Sequence, residues 1–173
     1  MNSTIVGRDE YIKILAEDNL IVPAKIDTGA DSSSIWASEL EMSKDGELSF
    51  VLFSKDSEYY TGVRHKTTDF SARAIRSSNG TKQLRYAVML DISICGRHIR
   101  GDFTLSDRSK NNFPILIGKS LLEGNFIVDV SRSATKRKKR RPSFGKYNRE
   151  LSISPKKFFE KYHKNNQRGD LEV

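Results

Sequence analysis

The feature that most narrows the fold is a succession of short, β-branched apolar runs separated by glycine-bearing turns, with little helical periodicity before residue 131. Ile21–Ile26 leads straight into Asp27, and Ser49–Phe53, Ala72–Arg76, Leu84–Ile94, Ile99–Leu105, Phe113–Ile117 and Phe126–Val130 follow. Asn79-Gly80 stands between the third and fourth runs; both residues tolerate positive φ, so a tight hairpin is predicted there. Cys95-Gly96-Arg97-His98 reads as a further turn, and a single short helix is predicted over Lys119–Glu123, stopped by Gly124. Many short strands with one short helix predict a mainly β body, a small barrel or sandwich. The polar, aperiodic stretch from Ser54 to Phe70 reads as a long mobile loop.

Charge divides the chain. The net charge is +8, yet residues 1–133 hold 17 Lys and Arg against 18 Asp and Glu, and residues 134–173 hold 13 against 4. The predicted organisation is a domain over 1–133 and a basic tail over 134–173. Within the tail, Lys136, Arg137, Lys138, Lys139, Arg140 and Arg141 form an unbroken basic run. Ser154-Pro155 reads as a helix start, with Phe158, Phe159 and Tyr162 on one face of a short helix at 155–165. Such a tail reads either as a solvated extension or as an arm for an acidic partner such as RNA, bound by phosphate neutralisation with aromatic stacking. No apolar run reaches the roughly 20 residues that span a bilayer, so no membrane partner is expected. The N-terminus lacks a basic start followed by an apolar stretch, and the lone Cys95 suits a reducing compartment, so a cytoplasmic location is expected.

The chemistry concentrates in Ala24-Lys25-Ile26-Asp27-Thr28-Gly29-Ala30-Asp31. A carboxylate at a strand end followed by glycine can be held by nearby backbone N–H groups. The tripeptide alone is equally consistent with a turn that closes a strand. Some 90 residues later, Phe113-Pro114-Ile115-Leu116-Ile117-Gly118-Lys119-Ser120-Leu121-Leu122 supplies an apolar strand, a glycine and a short apolar helix. This order, with the Asn-Gly hairpin between, resembles that of the retropepsins, the dimeric aspartic proteases of retroviruses and their cellular relatives.

The resemblance covers roughly Ile5 to Val130 and implies a closed, acid-protease-type β-barrel with a short C-terminal body helix. It implies that Asp27 is catalytic, that Thr28 bonds across a dimer beneath the site, and that Gly29 and Ala30 complete the active-site loop. Ser78, Asn79 and Gly80 would form the tip of a flap, and Ile115–Gly118 would pack behind the loop. Asp31 would be tied to Lys119 and to Arg8 of the partner subunit. With one Asp-Thr-Gly per chain, a two-fold homodimer would supply the second carboxylate. The two would share one proton, one acting as base on a water and the other as donor to the scissile carbonyl.

Val6-Gly7-Arg8, Ala24–Ala30, Ser78-Asn79-Gly80, Arg85-Tyr86, Leu105-Ser106-Asp107-Arg108 and Ile117-Gly118-Lys119 further resemble the RimB-like group, often labelled "ATP-dependent zinc protease". The sequence has no phosphate-binding glycine loop ending in Gly-Lys-Ser/Thr, and its three histidines and one cysteine are not spaced as zinc ligands. No metal or other cofactor is therefore expected. That group is associated with ligases that add glutamates to the C-terminus of a ribosomal protein, which implies trimming or removal of that tail; contact with the ribosome or its RNA is expected of the basic tail over 134–173. Arg73, Arg76 and Arg85, on or near the flap hairpin, are the candidates for holding such a substrate. Two other readings remain open: an RNA-binding β-barrel with an incidental Asp-Thr-Gly, and a retropepsin-fold interaction module without activity.

Overall fold

Strands form where apolar residues alternate with polar ones. The computed structural model describes residues 4–76, 82–135 and 144–166, and the chain divides into two units, Met1–Lys136 and Arg137–Val173. The first unit is mainly β. It opens with β1 (Thr4–Val6) and β2 (Asp9–Ile14), a 3-10 turn over Leu15–Glu17, and β3 (Leu20–Ile26). β2 buries Ile12 and Ile14 and exposes Tyr11 and Lys13, and β3 buries Val22, Ala24 and Ile26 against them. Asp18 and Asn19, both left-handed, reverse the chain between the two.

β4 (Ser33–Met42), β5 (Leu48–Leu52), β6 (Arg64–Thr67), β7 (Phe70–Arg76) and β8 (Lys82–Ile94) follow. Then come β9 (Arg97–Ser106), β10 (Ile115–Ile117), α1 (Lys119–Leu122) and β11 (Phe126–Val128). β8 and β9 join through Cys95-Gly96, with both residues at positive φ, as a two-residue hairpin turn requires.

Nine strands make one sheet, and β1 and β11 pair in parallel as a separate two-stranded one. Within the large sheet, β3, β2, β8, β9, β4 and β10 form a ring of pairings. The short β10 closes it, parallel to β3 and antiparallel to β4. The core inside includes Ile12, Ile35, Phe50, Ile92, Phe103, Ile115 and Ile117, all 2% exposed or less. Burying each such side chain is worth about 1.5–3 kcal/mol. The C-terminal end of the first unit is fastened by Asp9. Its buried carboxylate accepts Ser133 Oγ at 2.8 Å and Thr135 N at 2.8 Å.

The stretch Ser54 to Phe70 is not the open loop that its polarity suggests. It contains β6, which pairs with β5, and His65 stacks on Phe50 at 5.2 Å. The buried Glu17 carboxylate meets His65 Nε2 at 2.6 Å and accepts the Thr61 hydroxyl, fixing this segment to the 3-10 turn.

The second unit is a pair of helices, α2 (Phe144–Ile153) and α3 (Pro155–Asn166). Ser154 O accepts the first α3 bond from Phe158 N at 3.0 Å, and Pro155 occupies the opening position, where no N–H is needed. Tyr162 meets Tyr147 edge-to-face and Phe158 at a tilt, and it donates to Glu150 at 2.8 Å, so the helices fold back on each other. Phe159 lies off this seam, 54% exposed. The basic run Lys136 to Arg141 lies outside the described residues.

Candidate active site

β3 delivers Asp27 to the edge of the ring. Asp27 N donates to Ile117 O at 2.9 Å, continuing the β3–β10 pairing by one step, and Ala30 N returns to Asp27 O at 3.2 Å to close a tight loop. The loop is clamped from behind by the residues after β10. Gly118 N donates to Ser33 Oγ at 3.0 Å, Lys119 N to Ala30 O at 2.8 Å and Ser120 N to Asp31 O at 3.1 Å. Position 118 has to be glycine for this, because a Cβ there would lie 2.5 Å from Ser32 O.

The Asp27 carboxylate is held at both oxygens. Oδ1 accepts Gly29 N at 3.1 Å, and Oδ2 meets Lys25 Nζ at 2.9 Å. Lys25 is two residues back on the same strand, so alternation puts both side chains on one face. The Lys25 contact holds the Asp27 carboxyl below the usual carboxylate range against the opposing effect of partial burial, and the Gly29 and Ala30 N–H groups act in the same direction as Lys25.

The rest of the loop faces solvent. Thr28, Gly29 and Asp31 are exposed. Asp31 pairs with Lys119 at 2.7 Å, a contact that pulls its carboxyl down and pushes the ammonium up. Arg8 runs alongside, its O accepting Ile26 N at 3.0 Å, but its guanidinium lies 3.6 Å from Asp9 of its own chain.

Beside the loop is a cavity of about 400 Å³ lined by Gly29–Ser32, Ser34, Ala74, Ile75, Arg85, Thr104, Arg108 and Leu116. Ala74 and Ile75 come from β7 and Arg85 from β8, which pair antiparallel from Phe70–Val88 to Arg76–Lys82. Ser78, Asn79 and Gly80 lie outside the described residues. Arg73 sits opposite Arg85 in register and is ion-paired to Asp102. Arg76 sits opposite Lys82.

Two residues at this site escaped the candidates drawn from the sequence, Lys25 and Arg108. Asp107 caps Ser109 N at 2.8 Å and turns the chain after β9, and Arg108 Nε then donates to Phe113 O at 3.1 Å. Burial disfavours the charged form of Arg108, the nearby Arg85 does so as well, and Asp27 opposes both. Among the described residues no three His, Cys, Asp or Glu side chains gather as a metal site.

A ring of strands with a carboxylate at one strand end, oriented by the N–H two residues on and backed by a strand–glycine–helix segment, is of the retropepsin-like class of fold. The chain belongs to the RimB-like family, described as "Retropepsin-like aspartic endopeptidase RimB", whose model matches residues 5–139. It is also similar to a "Probable alpha-L-glutamate ligase" from Shewanella pealeana, at 28% identity over 76% of this chain and 30% of that protein. A protein of the same description from Desulfotalea psychrophila is 25% identical over 82% of this chain and 31% of its own length. The chain thus spans about a third of the curated relatives that it matches. Among solved structures, a Legionella pneumophila protein of unknown function matches with a TM-score of 0.56 and 24% identity, covering 78% of this chain and 98% of that one. That likeness concerns the fold.

Proposed function

We propose that the protein is a homodimeric aspartic peptidase in which Asp27 and its twin from a second copy activate a water molecule. The observation that carries this reading is Asp27 itself, at the end of β3 with Oδ1 on the Gly29 N–H, in a loop whose Thr28 and Gly29 stand exposed for a symmetric neighbour. On this reading the ring of strands is a retropepsin-type closed barrel, and the β7–β8 hairpin is its flap. Thr28 bonds across the two-fold axis, and Asp31, already on Lys119, gains Arg8 of the partner subunit. Two carboxylates that close cannot both ionise easily. One takes a proton from the water and the other donates a hydrogen bond to the scissile carbonyl.

The substrate we propose is a glutamate tail added to a ribosomal protein in the cytoplasm, trimmed or removed by hydrolysis. Support comes from the glutamate-ligase names of the relatives and from Arg85 beside the loop. The run Lys136–Arg141 is proposed to contact ribosomal RNA. The direct test is to incubate the protein with a glutamylated ribosomal tail and read the products by mass spectrometry. Shortened tails are expected with the native protein and none with Asp27→Ala. Cleavage by Asp27→Ala at the native rate would refute the assignment.

A further inference from the structure

We infer that Arg85 and Arg108 form a subsite for a side-chain carboxylate, reading one glutamate of an extended acidic peptide beside the Asp27 loop. The inference deepens the peptidase reading and rests on it for the position of the scissile bond, but the subsite itself rests on separate observations. Arg85 and Arg108 line the same cavity of about 400 Å³, together with Gly29–Ser32 of the loop. Arg85 is steadied by Gln83 Oε1 at 2.9 Å and Arg108 by Phe113 O at 3.1 Å, in both cases through Nε. Neither has a carboxylate at ion-pair distance among the described residues, whereas Arg73, directly opposite Arg85, has its charge met by Asp102.

Two partly buried cations side by side are unfavourable, and the Asp27 charge offsets this only in part at Arg108. Each loses hydration, and each disfavours the other. A carboxylate entering the cavity would relieve both and could accept the remaining fork N–H groups of either guanidinium. The other walls suit the stem of such a side chain. Ala30, Ala74, Ile75 and Leu116 present apolar surface to its methylenes, and the cations stand for its end. Glutamine has the same shape without the charge, so the subsite should discriminate between the two residues through charge-assisted bonds.

The test separates binding from cleavage. In the Asp27→Asn protein, calorimetric titration with a glutamate oligopeptide should give saturable binding, and the matching glutamine oligopeptide should bind at least about tenfold more weakly. Arg85→Gln and Arg108→Gln should each weaken glutamate binding about tenfold or more and leave glutamine binding unchanged, and Arg108→Lys should restore part of the loss. Arg108→Gln also removes the bond to Phe113 O; if that variant unfolds, Arg85→Gln on the strand surface decides alone. Native glutamate affinity in a folded Arg85→Gln protein would overturn the subsite. So would tighter binding of an RNA oligonucleotide than of the glutamate peptide, competing for the same site. Selective glutamate binding without turnover by the native protein would sink the peptidase reading and keep the subsite. Turnover with equal kcat/KM on glutamate and glutamine peptides would do the reverse.

Discussion

Lys25 decides how Asp27 titrates. An ammonium 2.9 Å from Oδ2 favours the ionised carboxyl, whereas a shared-proton dyad needs one carboxyl protonated. In a dimer the two effects compete, and each cation pulls the pair's two apparent pKa values down. Lys25→Met removes that pull, so both limbs of the pH profile of kcat/KM should move to higher pH. A profile that stays in place would mean that Lys25 leaves Asp27 in the assembled site. Asp27 was legible because a β-branched run ends on Asp-Thr-Gly. Lys25 was not, because a charged residue in a strand reads as a solvated one until its neighbour two positions on is seen to share its face. Arg108 was legible only as part of a motif. Its place beside Arg85 depends on the Asp107 turn after β9, which no local pattern in the sequence marks.

At the scale of elements, the strand–glycine–helix segment behind the loop is the most exacting piece. Gly118→Ala puts a methyl 2.5 Å from the backbone oxygen of Ser32, which is not a flexible group. Overpacking of this kind costs about 1–3 kcal/mol. The forced shift would also lengthen the Lys119–Ala30 and Asp27–Ile117 bonds, so a lower melting temperature should come with lost activity.

Asp9 is a second fastening, between β2 and the end of the first unit. Burial raises its pKa, but the hydrogen bonds from Thr135 and Ser133, aided by Arg8, outweigh this and hold it below the ordinary value. Its contribution is therefore complete above the unfolded-state pKa of about 3.9 and is lost as pH falls through the lower folded value. Asp9→Ala should cost about 1–3 kcal/mol near neutral pH by leaving Thr135 N unpaired. In urea titrations the gap from the native protein should close under strong acid.

Among the strands, β3, β8 and β9 were readable from alternation and turn chemistry. β4 was not, because its first half is paired on both edges, by β9 and β10, and buries Ser33, Ser34 and Ile35 in succession, which erases the alternating pattern. β6 is polar and is made a strand by its pairing with β5 and by the Glu17–His65 contact, whose partners lie 48 residues apart.

For the molecule as a whole, the decisive property is that each chain carries a single Asp-Thr-Gly. A mechanism built on two such carboxylates makes activity a property of pairs of chains, and a two-fold pair presents the same patch from each side. Mixing native protein with Asp27→Asn protein therefore tests the assembly directly, provided subunits are allowed to exchange. At equal amounts, random pairing leaves about half of the native chains with a native partner, so activity per native chain should fall to about half. At a ninefold excess of the variant it should fall to about a tenth. Activity per native chain that holds steady across the series, with exchange verified by a tagged subunit, would mean that one chain hydrolyses the bond with its own groups. Asp27 would then have to act without a twin, and Asp31, the one acid among the described residues lining the cavity, would have to serve as proton donor against the pull of Lys119 on its carboxyl.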